Sequence, residues 1–425
     1  MIMPAMLHSS APHSATRRNM LLGSGALFAW AFAPKLARAE GRDPRFLTIV
    51  LRGALDGLAT VAPVGDPDWV KLRADKGLKL DGANAGLPLD GFFALSPAMP
   101  NLHRMYRAGH AVIVHAAATP YRERSHFDGQ DVLESGLARP GRSDTGWLNR
   151  ALAGLEPDDR VRAGANGQRT FAVGPITPLV ARGPAQVLSW VPPRLPPVSD
   201  DTTMRLLDLY RHTDPALAQV LEERIGLAAL GPTAAPADRR PGDMGPAVQF
   251  GNINQVRAYF AEVAGAAAKF LANPDGPRVG ALALDGWDTH INEGQRLSAL
   301  LGALDAALAA VETGMGAAWS ETVVTLITEF GRTARINGTD GTDHGTGTVA
   351  LLAGGALKGG RVVADWPGVK EADLHEKRDL KATTDLRAVL KGLLRDHLRV
   401  DDRVLAAEVF PGSDDVTAIE GLVQA

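Results

Sequence analysis

The chain has 425 residues, of which 45 are Lys or Arg and 48 are Asp or Glu, giving a net charge of −3 at pH 7. That balance argues against a nucleic-acid partner, which selects a basic surface. The absence of cysteine excludes disulfides, thiolate metal ligands and a thiol nucleophile, and leaves a haem or other redox role without an attachment motif.

The N-terminus reads as an export signal. Arg17 and Arg18 are adjacent, an apolar stretch runs from Leu21 to Ala33, and Ala37-Arg38-Ala39 offers small residues for a signal peptidase. Charge, apolar run and small residues in that order, with a twin arginine in front, mark a cleaved signal. The run falls short of the roughly 20 apolar residues of a spanning helix, so no permanent membrane anchor is expected. Residues 1–39 are assigned to the signal, cut near Ala39, and residues 40–425 to one α/β domain, carried by the twin-arginine machinery to the periplasm or beyond. Removing the signal takes away basic residues only, leaving a more acidic body.

Along that body, apolar β-type runs alternate with longer helical patterns. Phe46 to Leu51 predicts a buried strand, Pro97 to Ala108 a helix, and Ala111 to Ala116 the next strand. Thr202 to Ala229 is helical in pattern, and Gly231 to Ala247 is loaded with Pro, Gly and Ala. Together they suggest a helical insertion or cap around 155–250. Ile253 to Leu271 predicts a long helix, Val279 to Leu284 a strand, and Leu297 to Val311 another helix. Thr322 to Ile327 and Gly347 to Leu352 complete the strand-like runs. Short apolar strands separated by such helices indicate a mostly parallel central sheet with helices on both faces.

Ionisable residues gather at the strand ends, where sites form in open α/β sheets. The first strand runs into Asp56, and the second leads to His115 and then to Ser125 and His126. The third ends in Asp285, Asp288 and His290, the fourth in Glu329 and Arg332, and the last follows Asp343 and His344. Carboxylates and imidazoles at several strand ends suit a divalent metal such as zinc, manganese or calcium. Each residue also has a structural explanation. Asp56 can cap a helix or hold a turn, Ser125 can cap the helix beginning near His126, and Glu329 can pair with Arg332. His115, inside an apolar strand, reads as a core histidine. Asp288 and Asp285 compete for one place, and co-occurrence at one sheet edge carries the metal reading.

Asp285-Gly286-Trp287-Asp288-Thr289-His290, Thr328-Glu329-Phe330-Gly331-Arg332-Thr333, Asp343-His344-Gly345 and Leu352-Ala353-Gly354-Gly355 resemble the family called domain of unknown function 1501. Leu51-Arg52-Gly53-Ala54-Leu55-Asp56-Gly57 and Ser125-His126-Phe127 fit it too. The resemblance implies a secreted bacterial protein with the fold of the alkaline phosphatase and sulfatase superfamily and a one- or two-metal hydrolytic site. Carried over residue by residue, it implies Asp56 as the first metal carboxylate, Ser125 as nucleophile, and Asp288 or Asp285 with His290 as a ligand pair. His344 matches the last histidine. Where an Asp-His pair is expected, this chain has Glu329-Phe330, so Glu329 or Asp343-His344 fills that place. The nearest frame to a sulfatase aldehyde motif, Ala118-Thr119-Pro120-Tyr121-Arg122, has Ala at the key position, which argues against aldehyde-dependent sulfate chemistry. The expected activity is hydrolysis of a small or polymeric phosphate or sulfate ester, with Ser125, His126 and Arg332 as catalytic groups and Arg122 as a further cation. The alternative is a catalytically inactive binding or surface-assembly protein on the same fold.

Overall fold

The computed structural model describes residues 42–424 except 83, 142, 156–169, 175, 192–206, 208–209, 212–213 and 231–252. The expected signal and the expected loop at Gly231–Ala247 lie outside the described residues.

Among the described residues, the main sheet of the unit Asp43–Ala425 has nine strands. In chain order they are β1 (Arg45–Arg52), β2 (Ala111–Ala118), β3 (Thr170–Val173), β4 (Val187–Trp190), β5 (Val279–Asp285), β6 (Thr322–Ile327), β7 (Thr348–Ala353), β8 (Arg361–Val363) and β9 (Thr384–Asp385). Their order across the sheet is β8-β2-β7-β6-β1-β5-β3-β4, with β9 paired to β2. Every pairing is parallel except the two made by β7, which runs antiparallel to β2 and to β6. The sheet is therefore mostly parallel, as the alternation of runs predicts, with one reversed strand near its middle.

Eight helices matter below: α1 (Gly57–Thr60), α2 (Trp69–Arg73), α3 (Pro100–Arg107), α4 (His126–Ser135), α5 (Trp147–Ala153), α6 (Ile253–Ala272), α7 (Glu293–Met315) and α8 (Leu386–Leu398). Side chains alternate across a strand, and β1 divides its own between two cores. Leu47, Ile49 and Leu51 pack with Leu102 of α3, Phe260 of α6 and Leu300 and Leu304 of α7. Phe46 and Val50 pack with Trp147 of α5 and Val389 and Leu393 of α8. Each such side chain removed from water contributes roughly 1.5–3 kcal/mol, so both faces of the sheet are covered because both are apolar. Ala264, Ala267 and Ala268 of α6 and Ala303 and Ala307 of α7 are buried in the first core, where small side chains let two long helices pack closely. The stretch Glu293–Glu321 is long and apolar enough to span a bilayer, and burial of Leu300, Leu304 and Leu308 in this core accounts for that composition.

The region expected as a helical insertion holds a helix at Pro215–Leu230 but also supplies β3 and β4 to the sheet edge. These strands are four residues each, too short to give a periodic signal in the sequence.

Candidate metal centre

The carboxyl ends of β1, β2, β5 and β6 open on one edge of the sheet. Because β7 runs the other way, its amino end lies at that same edge, and the Asp343-His344 segment just before it arrives beside the other four loops.

At that edge three imidazoles converge. His126 Nε2 is 2.9 Å from His344 Nε2, and His290 Nε2 is 3.0 Å from His344 Nε2. Asp288 Oδ1 lies 2.9 Å from His290 Nε2 and 3.3 Å from His344 Nε2, while Oδ2 is 3.6 Å from His126 Nε2. His126, Asp288 and His344 each offer a ligand atom within 4.8 Å of the others.

The outer nitrogens decide how these rings are protonated. His344 Nδ1 is 2.9 Å from the carbonyl of Arg124, which only accepts, so Nδ1 carries the hydrogen. His126 Nδ1 is 2.8 Å from Glu329 Oε1 and His290 Nδ1 is 3.3 Å from Asp343 Oδ1, both carboxylate acceptors. With Nδ1 protonated on neutral rings, the Nε2 lone pairs of His126 and of His290 would each face that of His344. Lone pairs set 2.9–3.0 Å apart repel unless a cation sits among them. His126, Asp288 and His344, with His290 beside His344, offer nitrogen and carboxylate donors of the kind a divalent transition metal takes. Zinc–nitrogen bonds of about 2.0–2.1 Å in a tetrahedron separate ligand atoms by about 3.3 Å, close to the spacing found here. The residues present fit the group.

The carboxylates that would anchor the rings also stabilise a proton on them, so proton and metal would compete for these nitrogens. The Asp288 and Glu329 carboxylates push the His126 imidazole up to about 9. Burial works against ionisation of Asp288, but hydrogen bonds from His126, His344 and Arg332 hold its carboxyl far below the ordinary range. Glu329 is fully buried, which also opposes its charge, yet His126 and the Gly53 N–H keep it low. Gly53 N donates to Glu329 Oε1 at 2.9 Å, Gln130 Nε2 to the same oxygen at 3.2 Å, and Thr328 Oγ1 to Oε2 at 2.9 Å.

Local backbone features set these positions. Gly53 has φ +118°, and a Cβ there would lie 2.5 Å from the backbone nitrogen of Asp288. Only glycine lets β1's end pass so close beneath the Asp288 loop. Arg124 adopts φ 63°, a sparse region for a side chain other than glycine. Its guanidinium is held by Asp379 at 2.7 Å and Glu376 at 2.6 Å, which fixes the strained carbonyl against His344. Asn337 and Thr339 anchor the His290 carbonyl at 3.1 and 2.8 Å.

The structure thus brings together His126, Asp288, His290 and His344, with Glu329 behind His126, Asp343 beside His290, and Arg332 on Asp288 at 2.6 Å. Of the rival pair, Asp288 enters the cluster, and Asp285 ends β5 as an exposed residue outside it. Asp56 stands apart. It caps α1 by accepting from Ala59 N at 2.9 Å, and its other oxygen pairs with Arg73 of α2 at 2.9 Å, both side chains buried. Ser125 precedes α4 without capping it, and its backbone N–H donates to the Tyr121 hydroxyl at 3.2 Å. Among the described residues Glu329 makes no ion pair with Arg332, which turns instead to Asp288 and to Thr342. Arg122 donates to the Thr119 and Tyr121 carbonyls. His115 is a core histidine, donating to Val61 O at 2.8 Å and stacked on Phe93. Sequence reasoning missed Gly53, Arg124 and the Arg73 partner of Asp56. A glycine directly after a buried strand is the signal that points to the first.

A family model described as a protein of unknown function (DUF1501) matches residues 109–409. The chain belongs to that family. No curated protein matches this DUF1501 chain. Solved structures similar to it include the phosphonate monoester hydrolase of Agrobacterium radiobacter, at 14% identity and TM-score 0.30, covering 75% of this chain and 70% of that one. The PsFucS1 sulfatase from Pseudoalteromonas sp. is similar at 12% identity and TM-score 0.35, covering 82% and 68%. The alkaline phosphatase from the Antarctic bacterium TAB5 is similar at 10% identity and TM-score 0.34, covering 76% and 95%.

Proposed function

We propose that this DUF1501 chain is an exported metal-dependent hydrolase of phosphate or sulfate esters. The observation that carries the reading is the close grouping of His126, Asp288 and His344 with His290 adjoining, each ring's outer nitrogen held by its own acceptor. A divalent ion such as zinc, manganese or calcium, bound there, supplies Lewis acidity and lowers the pKa of a coordinated hydroxyl or water. The chain's own residues do the rest. His126, His290, His344 and Asp288 hold the ion, while Glu329 and Asp343 orient two of the rings. Ser125, next to His126 at the start of α4, is the proposed nucleophile. Arg332, buried against Asp288, is the proposed cation for charge on an ester's equatorial oxygens. The twin arginine at Arg17-Arg18 supports export, the ester substrate being met in the periplasm or outside the cell.

A second reading is favoured by one contact. Arg332 occupies the same oxygen of Asp288 that would face a metal, at 2.6 Å, as in a site that has given up its ion and become part of a binding protein. Metal analysis of the mature protein purified from periplasm, with His290→Ala and His344→Ala alongside, tests the two. Near-stoichiometric metal that falls in both variants is expected and justifies an ester screen. Well-folded wild type that takes up no metal after reloading overturns the hydrolase.

A further inference from the structure

Two of the loops that carry the metal donors, 286–292 and 332–347, are tied together where α7 begins. Glu293, the first residue of α7, is only 2% exposed. Thr289 Oγ1 donates to Glu293 Oε1 at 2.9 Å, and Thr289 is the buried residue between Asp288 and His290. The Thr342 hydroxyl lies beside the same carboxyl. Thr342 Oγ1 in turn accepts from Arg332 Nε at 3.1 Å, and Arg332 Nη1 donates to Asp288 Oδ1 at 2.6 Å. The backbone adds two more ties: Glu293 N donates to Asp340 O at 2.8 Å and Thr342 N to Thr289 O at 3.2 Å.

An acid in the first turn of a helix ordinarily answers the helix dipole from the surface. This one is buried, which opposes its charge. Burial and the Asp56 carboxylate push Glu293 up to about 8, so at pH 7 it is a neutral hydrogen-bonding group. Its anchor is rigid, because Leu297, Leu300, Leu301 and Leu304 fix α7 in the first core. Among the described residues Glu293 makes no hydrogen bond to His126, Asp288, His290 or His344, so its influence on them passes through Thr289 and Thr342.

We propose that Glu293 is a positioning residue of the metal centre proposed above, clamping the loop of Asp288 and His290 to the loop of His344 through Thr289 and Thr342. It thereby sets the spacing of donors that reside on different loops.

Metal affinity of the mature protein at pH 7, read by competition with a chelator, tests this, with the absorption spectrum of the cobalt-loaded protein as a second readout. Glu293→Ala and Thr289→Val should each weaken metal about ten-fold or more, as loss of partners behind metal ligands does. The double variant should be no weaker than Glu293→Ala alone, because the two residues share one contact. Glu293→Gln, which is neutral too and keeps an acceptor for Thr289, should stay close to wild type in affinity and spectrum. Thr289→Val preserves the side chain's shape and carries the test if Glu293→Ala does not fold. A lowered thermal midpoint with unchanged affinity and spectrum, losses that add in the double variant, or Glu293→Gln as weak as Glu293→Ala overturns the clamp. Wild type that takes up no metal overturns the metal centre itself, and the clamp with it.

Discussion

Glu329 shows how a residue can shape a site it does not enter. Its carboxylate fixes Nδ1–H on His126 and so aims Nε2 inward. Glu329→Gln keeps the shape but weakens the acceptor, and metal affinity is expected to fall about 10–100-fold, read by competition with a chelator. His115 makes the opposite kind of prediction. It is wholly buried, its Nδ1 accepts from Ala116 N at 2.7 Å, and burial lowers it to about 4. Its folded pKa lies below its unfolded value of about 6.5, so the unfolded state takes up the proton first as pH falls. Stability is then lost progressively from pH 6.5 down to about 4, by about 3 kcal/mol. Denaturant melts at several pH values should show this slope in wild type and a flatter one in His115→Phe. At this scale the strand ends point to the neighbourhood, with Asp285 and Asp288 as rivals beside His290, His344 as a further ligand and His126 as a catalytic group rather than a ligand. What sequence could not provide was the division of labour between neighbours. Asp56 and Asp288 are both acids after a strand, and only the tertiary arrival of Arg73 at one and three imidazoles at the other separates them.

Elements position those residues, and their local rules are testable by themselves. Gly53→Ala would place a Cβ 2.5 Å from the Asp288 nitrogen at φ +118°. A conformation that side chains rarely adopt costs about 1–3 kcal/mol, and the clash would move the Asp288 loop. Loss of both stability and metal is expected, measured by thermal melting and metal analysis on the same preparation. The contrast is Asp385→Ala. Asp385 caps α8 by accepting from Arg387 N at 2.8 Å, at a distance in role from the metal centre. Its loss should cost about 1 kcal/mol and leave metal content unchanged. The long runs that became β1, β2, β5, β6, α6 and α7 were readable because each is an uninterrupted apolar period. β3, β4 and α8 were not singled out; the two strands are short, and strand direction is not written in hydrophobicity, so the reversal of β7 was invisible too.

For the whole molecule, the twin arginine predicts a cargo exported in its folded state. Replacing Arg17 and Arg18 together by Lys should leave the protein in the cytoplasm, scored by fractionation; unchanged periplasmic yield would point to another route. A separate feature of the whole molecule is the placement of β7. Its neighbours in the sheet, β2 and β6, precede it in the chain, and it must slot between them. His126 and His344 are 218 positions apart in sequence yet meet at 2.9 Å. Contacts so distant along the chain form late, after the entropy of closing a long loop has been met. Until residues 348–353 insert, the ring of nitrogens stays open on one side, and so ion capture would be among the last events of folding. Loading would then take place in whichever compartment the chain completes its sheet, and the metal supply of that compartment, more than the intrinsic preference of the ligands, would choose the ion.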